Sequence, residues 1–220
     1  DHAAIMSDLQ GFVRRVSHCR FEGGDGRLAD EGVVIWRPDQ RADAVTITDN
    51  VFEGLGGVAI ILQETGHFGA RPKIRVAGNN IRGAALGRDL DKEALRVRET
   101  TGAEVVIEGN SIDGTASGPY EHDGISAESA PGVVVRANSV RGAHTGLRVG
   151  GGTTDARVLG NRLTDNRGHG LRVLPGSDLA EQRDNCLWGN ALGPVQGTGL
   201  GPGDSPHPLP AHALPCAAAP

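Results

Sequence analysis

Three histidines and an aspartate, His122, Asp123, His144 and His169, stand out as the residues of this chain that could do chemistry. Imidazole titrates near neutral pH and a carboxylate can take or hold a proton, so the set suits general acid–base work. The same four side chains also have the donor types of a first shell around a divalent metal ion. Beside them Arg96, Arg148 and Arg172 each recur in the tripeptide Leu-Arg-Val. Planar guanidinium groups hold carboxylates or sulfates through two parallel hydrogen bonds, which points to an anionic ligand.

These residues lie far apart along the chain, so a repeat must position them. Six segments share one frame: VTITDNVF, IRVAGNNI, VVIEGNSI, VVVRANSV, ARVLGNRL and LAEQRDNCL. Each places an asparagine two residues before an apolar one, at Asn50, Asn79, Asn110, Asn138, Asn161 and Asn185. RRVSHCRF fits the same frame with Cys19 in the asparagine's place. From Cys19 onward the steps are 31, 29, 31, 28, 23 and 24 residues, the range of solenoid repeats. Before each asparagine, pairs such as Val105/Ile107 and Val133/Val135 alternate with period 2, the mark of a strand. A second strand follows in each unit: GVVIW, GVAII, EALRV, DGISA, TGLRV and HGLRV. Strands this short bury a face only by stacking on their neighbours. An asparagine at the bend can donate to and accept from adjacent coils, and tolerates the left-handed conformation that bends need.

With that frame, Glu93, Asp123, Thr145 and His169 align in one column, and Lys92, His122, His144 and Gly168 in the column before it. Coils stack about 4.8 Å apart, so His122, Asp123, His144 and His169 are expected to converge. Arg96, Arg148 and Arg172, with Ser126 between the first two, form an outward row opposite the core-facing Leu95, Leu147 and Leu171. Stacked like charges cost energy unless anions or glutamates intervene, which favours an anionic partner. Two long turns, RGAALGRDLDKEA and DGTASGPYEHDG, belong to adjacent coils and are expected to stack as one wall.

Composition narrows the classes. Formal charge is −5, which argues against a nucleic-acid binder. Aromatics are only 3%, leaving Trp36, Phe68, Tyr120 and Trp188 as platforms for sugar stacking. No apolar run is long enough to span a bilayer. Cys19, Cys186 and Cys216 have no metal-binding or framework spacing and read as separate structural residues. The solenoid is expected over residues 1–192, its start reading as the second strand of an earlier coil. The Gly-, Pro- and Ala-rich stretch 193–220 reads as a loosely draped tail.

The asparagine frame resembles the right-handed parallel β-helix repeat of pectate-lyase-like proteins, over about four-fifths of the chain. That group includes polysaccharide lyases, mannuronan C5-epimerase-like proteins and NosD-type accessory proteins of copper enzymes. The resemblance implies an all-β solenoid of about seven coils and a sugar-related role. In Tyr120-Glu121-His122-Asp123, the second half matches the DPHD motif of epimerase-like β-helices, while Tyr120 and Glu121 replace Asp-Pro. On that likeness His122 with Tyr120 would serve as acid and base at a uronate C5. Arg96 or Arg148 would neutralise the carboxylate, Arg172 would extend the binding face, and Glu121 would contact substrate. The expected partner is an anionic polysaccharide, met by an epimerase or lyase in a secreted or periplasmic setting. A non-catalytic binding solenoid and a metal-associated accessory protein are the alternatives, and a divalent metal ion is the one cofactor considered.

Overall fold

The computed structural model describes residues 2–7, 13–23, 30–36, 44–65, 71–84, 93–115, 122–199, 201–202 and 204–206. A complete coil gives one strand to each of three parallel sheets. One coil, for example, runs Glu104–Glu108, then Ser111–Asp113, then Asp123–Glu128. Among the described residues the first sheet has eight strands, the second seven and the third six, all paired in parallel between successive coils. The architecture is the expected parallel β-helix. His2–Ser7 pairs with Asp30–Trp36 as a strand of a preceding coil, as read from the sequence.

Stacking aligns like residues, and the core is built from those alignments. On the third sheet Phe21, Phe52, Ile81, Ile112, Val140 and Leu163 are in register from coil to coil. The Phe21 and Phe52 rings stack with centroids 4.7 Å apart. Burying each such side chain contributes about 1.5–3 kcal/mol, which short strands could not gain singly. On the first sheet Leu95, Ile125, Leu147 and Leu171 are likewise fully buried, so their Arg neighbours face outward.

The asparagines form a continuous ladder at the bend between the second and third sheets. Each Nδ2 donates to the Oδ1 of the next coil, from Asn50 to Asn79 at 2.9 Å and on to Asn185 at 3.0 Å. Each Nδ2 also donates to a carbonyl of the preceding coil, as Asn110 does to Val76 at 3.0 Å. The left-handed residue is not the asparagine but the one before it. His18, Asp49, Gly78, Gly109, Ala137, Gly160 and Asp184 all have φ between 52° and 65°. That conformation turns the chain so that the asparagine side chain points inward. Even Ala137 adopts it, at a cost of about 1–2 kcal/mol that ladder bonds on either side offset.

The C-terminal stretch differs from the expected loose tail where it is described. Gly193–Gln196 adds a parallel strand to the first sheet beside His169–Val173. Asp204 then takes the ladder position: its Oδ1 accepts from the backbone N and the Nδ2 of Asn185, both at 2.8 Å. The sheet edge supplies pairing that the GPVQ sequence does not advertise, so the solenoid runs past residue 192. Cys19 is a free, exposed thiol at the first ladder position, and its N–H donates to Asn50 Oδ1 at 3.0 Å. Cys186 is disulfide-bonded, so the three cysteines are not three independent structural residues.

Candidate functional site

The site lies on the outer face of the first sheet and the corner that leads into it. Arg96, Ser126, Arg148, Arg172 and Gln196 form one outward row in exact coil-to-coil register. Glu93 stands beside Asp123, and the same column continues through Thr145 to His169, which is opposite Gly193. Both alignments agree with the sequence frame.

The arginines of this row do not share one fate. Arg148 reaches back along the face and joins three acids: Glu93 at 2.8 Å, Asp123 at 2.5 Å and Glu128 at 2.7 Å. Arg96 holds the second oxygen of Glu93, with Nη2 at 2.5 Å and Nε at 2.7 Å. Neither guanidinium is therefore the open anion receptor that the sequence suggested. Their anions are supplied by the chain itself, which removes the repulsion of stacked like charges. Arg172, one coil further, has no carboxylate partner among the described residues, and its Nε is buried without a hydrogen bond. Its register neighbours are the occupied Arg148 and the neutral Gln196.

Burial dominates the electrostatics of the acids. It lifts the Glu93 carboxyl above its ordinary range, outweighing Arg96 and Arg148. Asp123 is lifted for the same reason against the pull of Arg148, the Thr145 hydroxyl that donates to it, and His144. For Arg148, burial works toward the neutral form, but Asp123, Glu128 and Glu93 prevail and hold it more firmly charged. His169 is shifted down, first by burial and then by Arg172 and His144, against a hydrogen bond with the Gly193 backbone. It is therefore chiefly neutral at pH 7, the form that can accept a proton.

The histidines separate. His144 and His169 are half-buried on adjacent coils, with His144 Nδ1 3.5 Å from Thr145 Oγ1. His122 is only 4% exposed and turns into a small cavity of about 10 Å³ lined by Ala84, Ala94, Ile112 and Ala143. It is thus buried beneath the corner, where Asp123 lines the same cavity, and is not part of the outward row. Strand alternation does not extend to a corner residue, so its face could not be read in advance. Nor do His122, His144, His169 and Asp123 gather into a first shell: among the described residues no three His, Cys, Asp or Glu side chains form a metal-binding group. Tyr120 and Glu121, and most of the two long turns, lie outside the described residues.

Two features escaped the sequence reading. Glu128 closes the cluster around Arg148; it sits two residues beyond Ser126 on the same outward face, and that spacing was the available signal. A second, shorter amide ladder joins Asn166 to Asn190, with Nδ2 to Oδ1 at 2.9 Å. Their 24-residue separation equals that of Asn161 and Asn185 and marks the pair in the sequence.

A family model described as the right handed beta helix region matches residues 31–201. The chain belongs to that family. This right-handed β-helix matches no curated protein and no solved structure. Family membership bears on architecture, since one fold carries unrelated activities. Among the described residues, no helix is long and apolar enough to cross a membrane.

Proposed function

We propose that this β-helix engages an anionic, uronate-containing polysaccharide along the outer face of its first sheet. One observation carries the reading: the row of polar side chains includes Arg172, a guanidinium that no described carboxylate neutralises. Rungs about 4.8 Å apart suit an extended polymer laid along the solenoid axis. Beside Arg172, His169 is held neutral and can act as a base, with His144 on the adjacent coil as its counterpart. Removing a proton from a uronate C5 needs such a base and a cation on the carboxylate, so the activity that fits is epimerisation or lyase-type elimination. The disulfide at Cys186 supports an oxidising setting, either secreted or periplasmic.

A non-catalytic solenoid is the second reading, favoured by Arg148, whose three ion pairs join coils as a staple would. The test separates the two. Wild-type protein is expected to be retarded in gels containing polygalacturonate or alginate but not a neutral glucan. Ultraviolet absorbance then reports elimination, and proton NMR of the polymer reports inversion at C5. Retardation without either product selects the binding solenoid, and no retention by any anionic polymer rejects the proposal.

A further inference from the structure

We infer that Arg172, His169 and the strand Gly193–Gln196 form a seat for one oxyanion group, a carboxylate or a sulfate, at the C-terminal end of the row. This rests on the polysaccharide reading above and assigns the place where the anion is held.

The chain itself shows what such a seat looks like when filled. Glu93 and Arg96 are three residues apart on one strand, and the carboxylate lies against both Nη2 and Nε of the arginine. His169 and Arg172 occupy the same two positions three coils on, in the same column and the same row. Where the earlier coil supplies an acid to its arginine, the later one supplies an imidazole. The place that the Glu93 carboxylate holds on Arg96 has no counterpart on Arg172.

Two atoms around that place are unsatisfied, and the position opposite His169 carries no side chain. Arg172 Nε and His169 Nδ1 are both buried without a hydrogen-bond partner. Buried polar atoms in native proteins are nearly always bonded, so two such atoms on one strand call for a group from outside. Opposite His169 stands Gly193, where a Cβ would meet nothing within 4 Å. Opposite Arg172 stands Gln196, exposed and neutral, whose amide can donate and whose side chain brings no competing charge. The groups facing the His169 ring are Arg172 on its own strand, His144 on the preceding coil and the Gly193 backbone on the next. None of them is an acid. An oxyanion seated there receives a bond from Arg172 and a second from His169 in its neutral Nδ1–H tautomer, so that both groups donate to it.

Imidazole NMR of the full chain tests the seat, with sodium sulfate and sodium D-glucuronate titrated separately at constant ionic strength in chloride. A saturable shift of the His169 resonances is expected, and Arg172→Gln should weaken it by roughly tenfold to a hundredfold, the worth of a charge-assisted hydrogen bond. Arg157→Gln, which removes an arginine paired with Glu181 on the second sheet, should leave the titration unchanged. A shift with glucuronate alone assigns a carboxylate seat, and shifts with both assign a general oxyanion seat. No saturable shift with either anion, or equal affinity in Arg172→Gln with unchanged thermal unfolding, overturns the seat. If the wild type then still binds polyuronate, the polysaccharide reading stands without it. Sulfate binding in a protein that no anionic polymer retains would keep the seat and remove the polysaccharide.

Discussion

Two corners of the solenoid solve the same problem with different chemistry. At the ladder corner, six successive coils present the same amide, and each coil satisfies the next. At the corner entering the first sheet, four successive coils present Glu93, Asp123, Thr145 and His169, no two alike. An amide carries both donors and an acceptor, so identical copies complement one another without limit. A carboxylate cannot complement its own copy and must find a cation. Repetition therefore suffices at the first corner, whereas the second recruits Arg96 and Arg148 from the adjoining row. Chemical variety enters this fold where self-complementarity stops, and the candidate site is found there.

Breaking the uniform corner should cost most. Asn110→Ala removes the acceptor of the Asn79 N–H and Nδ2 and the donors to Val76 O and Asn138 Oδ1. Stability to urea is expected to fall by about 3–5 kcal/mol, since several buried groups lose their partners together. A loss below about 1 kcal/mol would mean that the ladder is not what holds the coils in register. Arg148→Met tests the varied corner. It strands three acids and should cost about 3 kcal/mol at neutral pH. That loss should shrink on acidification, because the raised Glu93 and Asp123 carboxyls take up protons readily. Asp204→Ala strips one rung from the ladder's end and should lower the unfolding midpoint by about 1–2 kcal/mol equivalent.

The smallest effect is a pH slope. Because the folded state holds the Glu93 proton above its ordinary 4.5, the folded chain binds more protons than the unfolded chain as pH rises past that value. The contribution of Glu93 to stability therefore falls as pH climbs from 4.5 through the raised value. Urea midpoints of wild type and Glu93→Gln across that range should differ in this slope, with the variant flatter. Glu108 behaves oppositely: bonds from Arg75 and Arg136 overcome its partial burial and lower its carboxyl, so its contribution is lost as pH falls. A wild-type slope no steeper than that of Glu93→Gln would show that the two arginines outweigh burial at Glu93.

The sequence carried the ladder plainly, because one residue type recurs at one spacing and its chemistry explains why. The same ruler aligned Glu93, Asp123, Thr145 and His169, and also Arg96, Ser126, Arg148 and Arg172, as the sheet pairs them. What it could not convey was direction and partnership. His122 precedes its strand at a bend, where period 2 no longer says which way a side chain points. Arg148 looked available because its three acids come from two other coils and both ends of their strands. The left-handed position also escaped notice, since glycine, alanine, aspartate and histidine all fill it and no single letter marks it.

The ladder is also a one-way device. Every Nδ2 points toward the higher-numbered coil and every Oδ1 toward the lower, so six side-chain dipoles align head to tail. A backbone N–H from Cys19 meets the negative end, and the carboxylate of Asp204 meets the positive end. Aligned hydrogen bonds polarise one another, so the column behaves as a weak internal electrode with a counter-charge at one pole. The Asp204 carboxylate has no N–H to pass onward. The same atom that neutralises the pole therefore ends the series, giving the stack a built-in polarity and a chemical full stop.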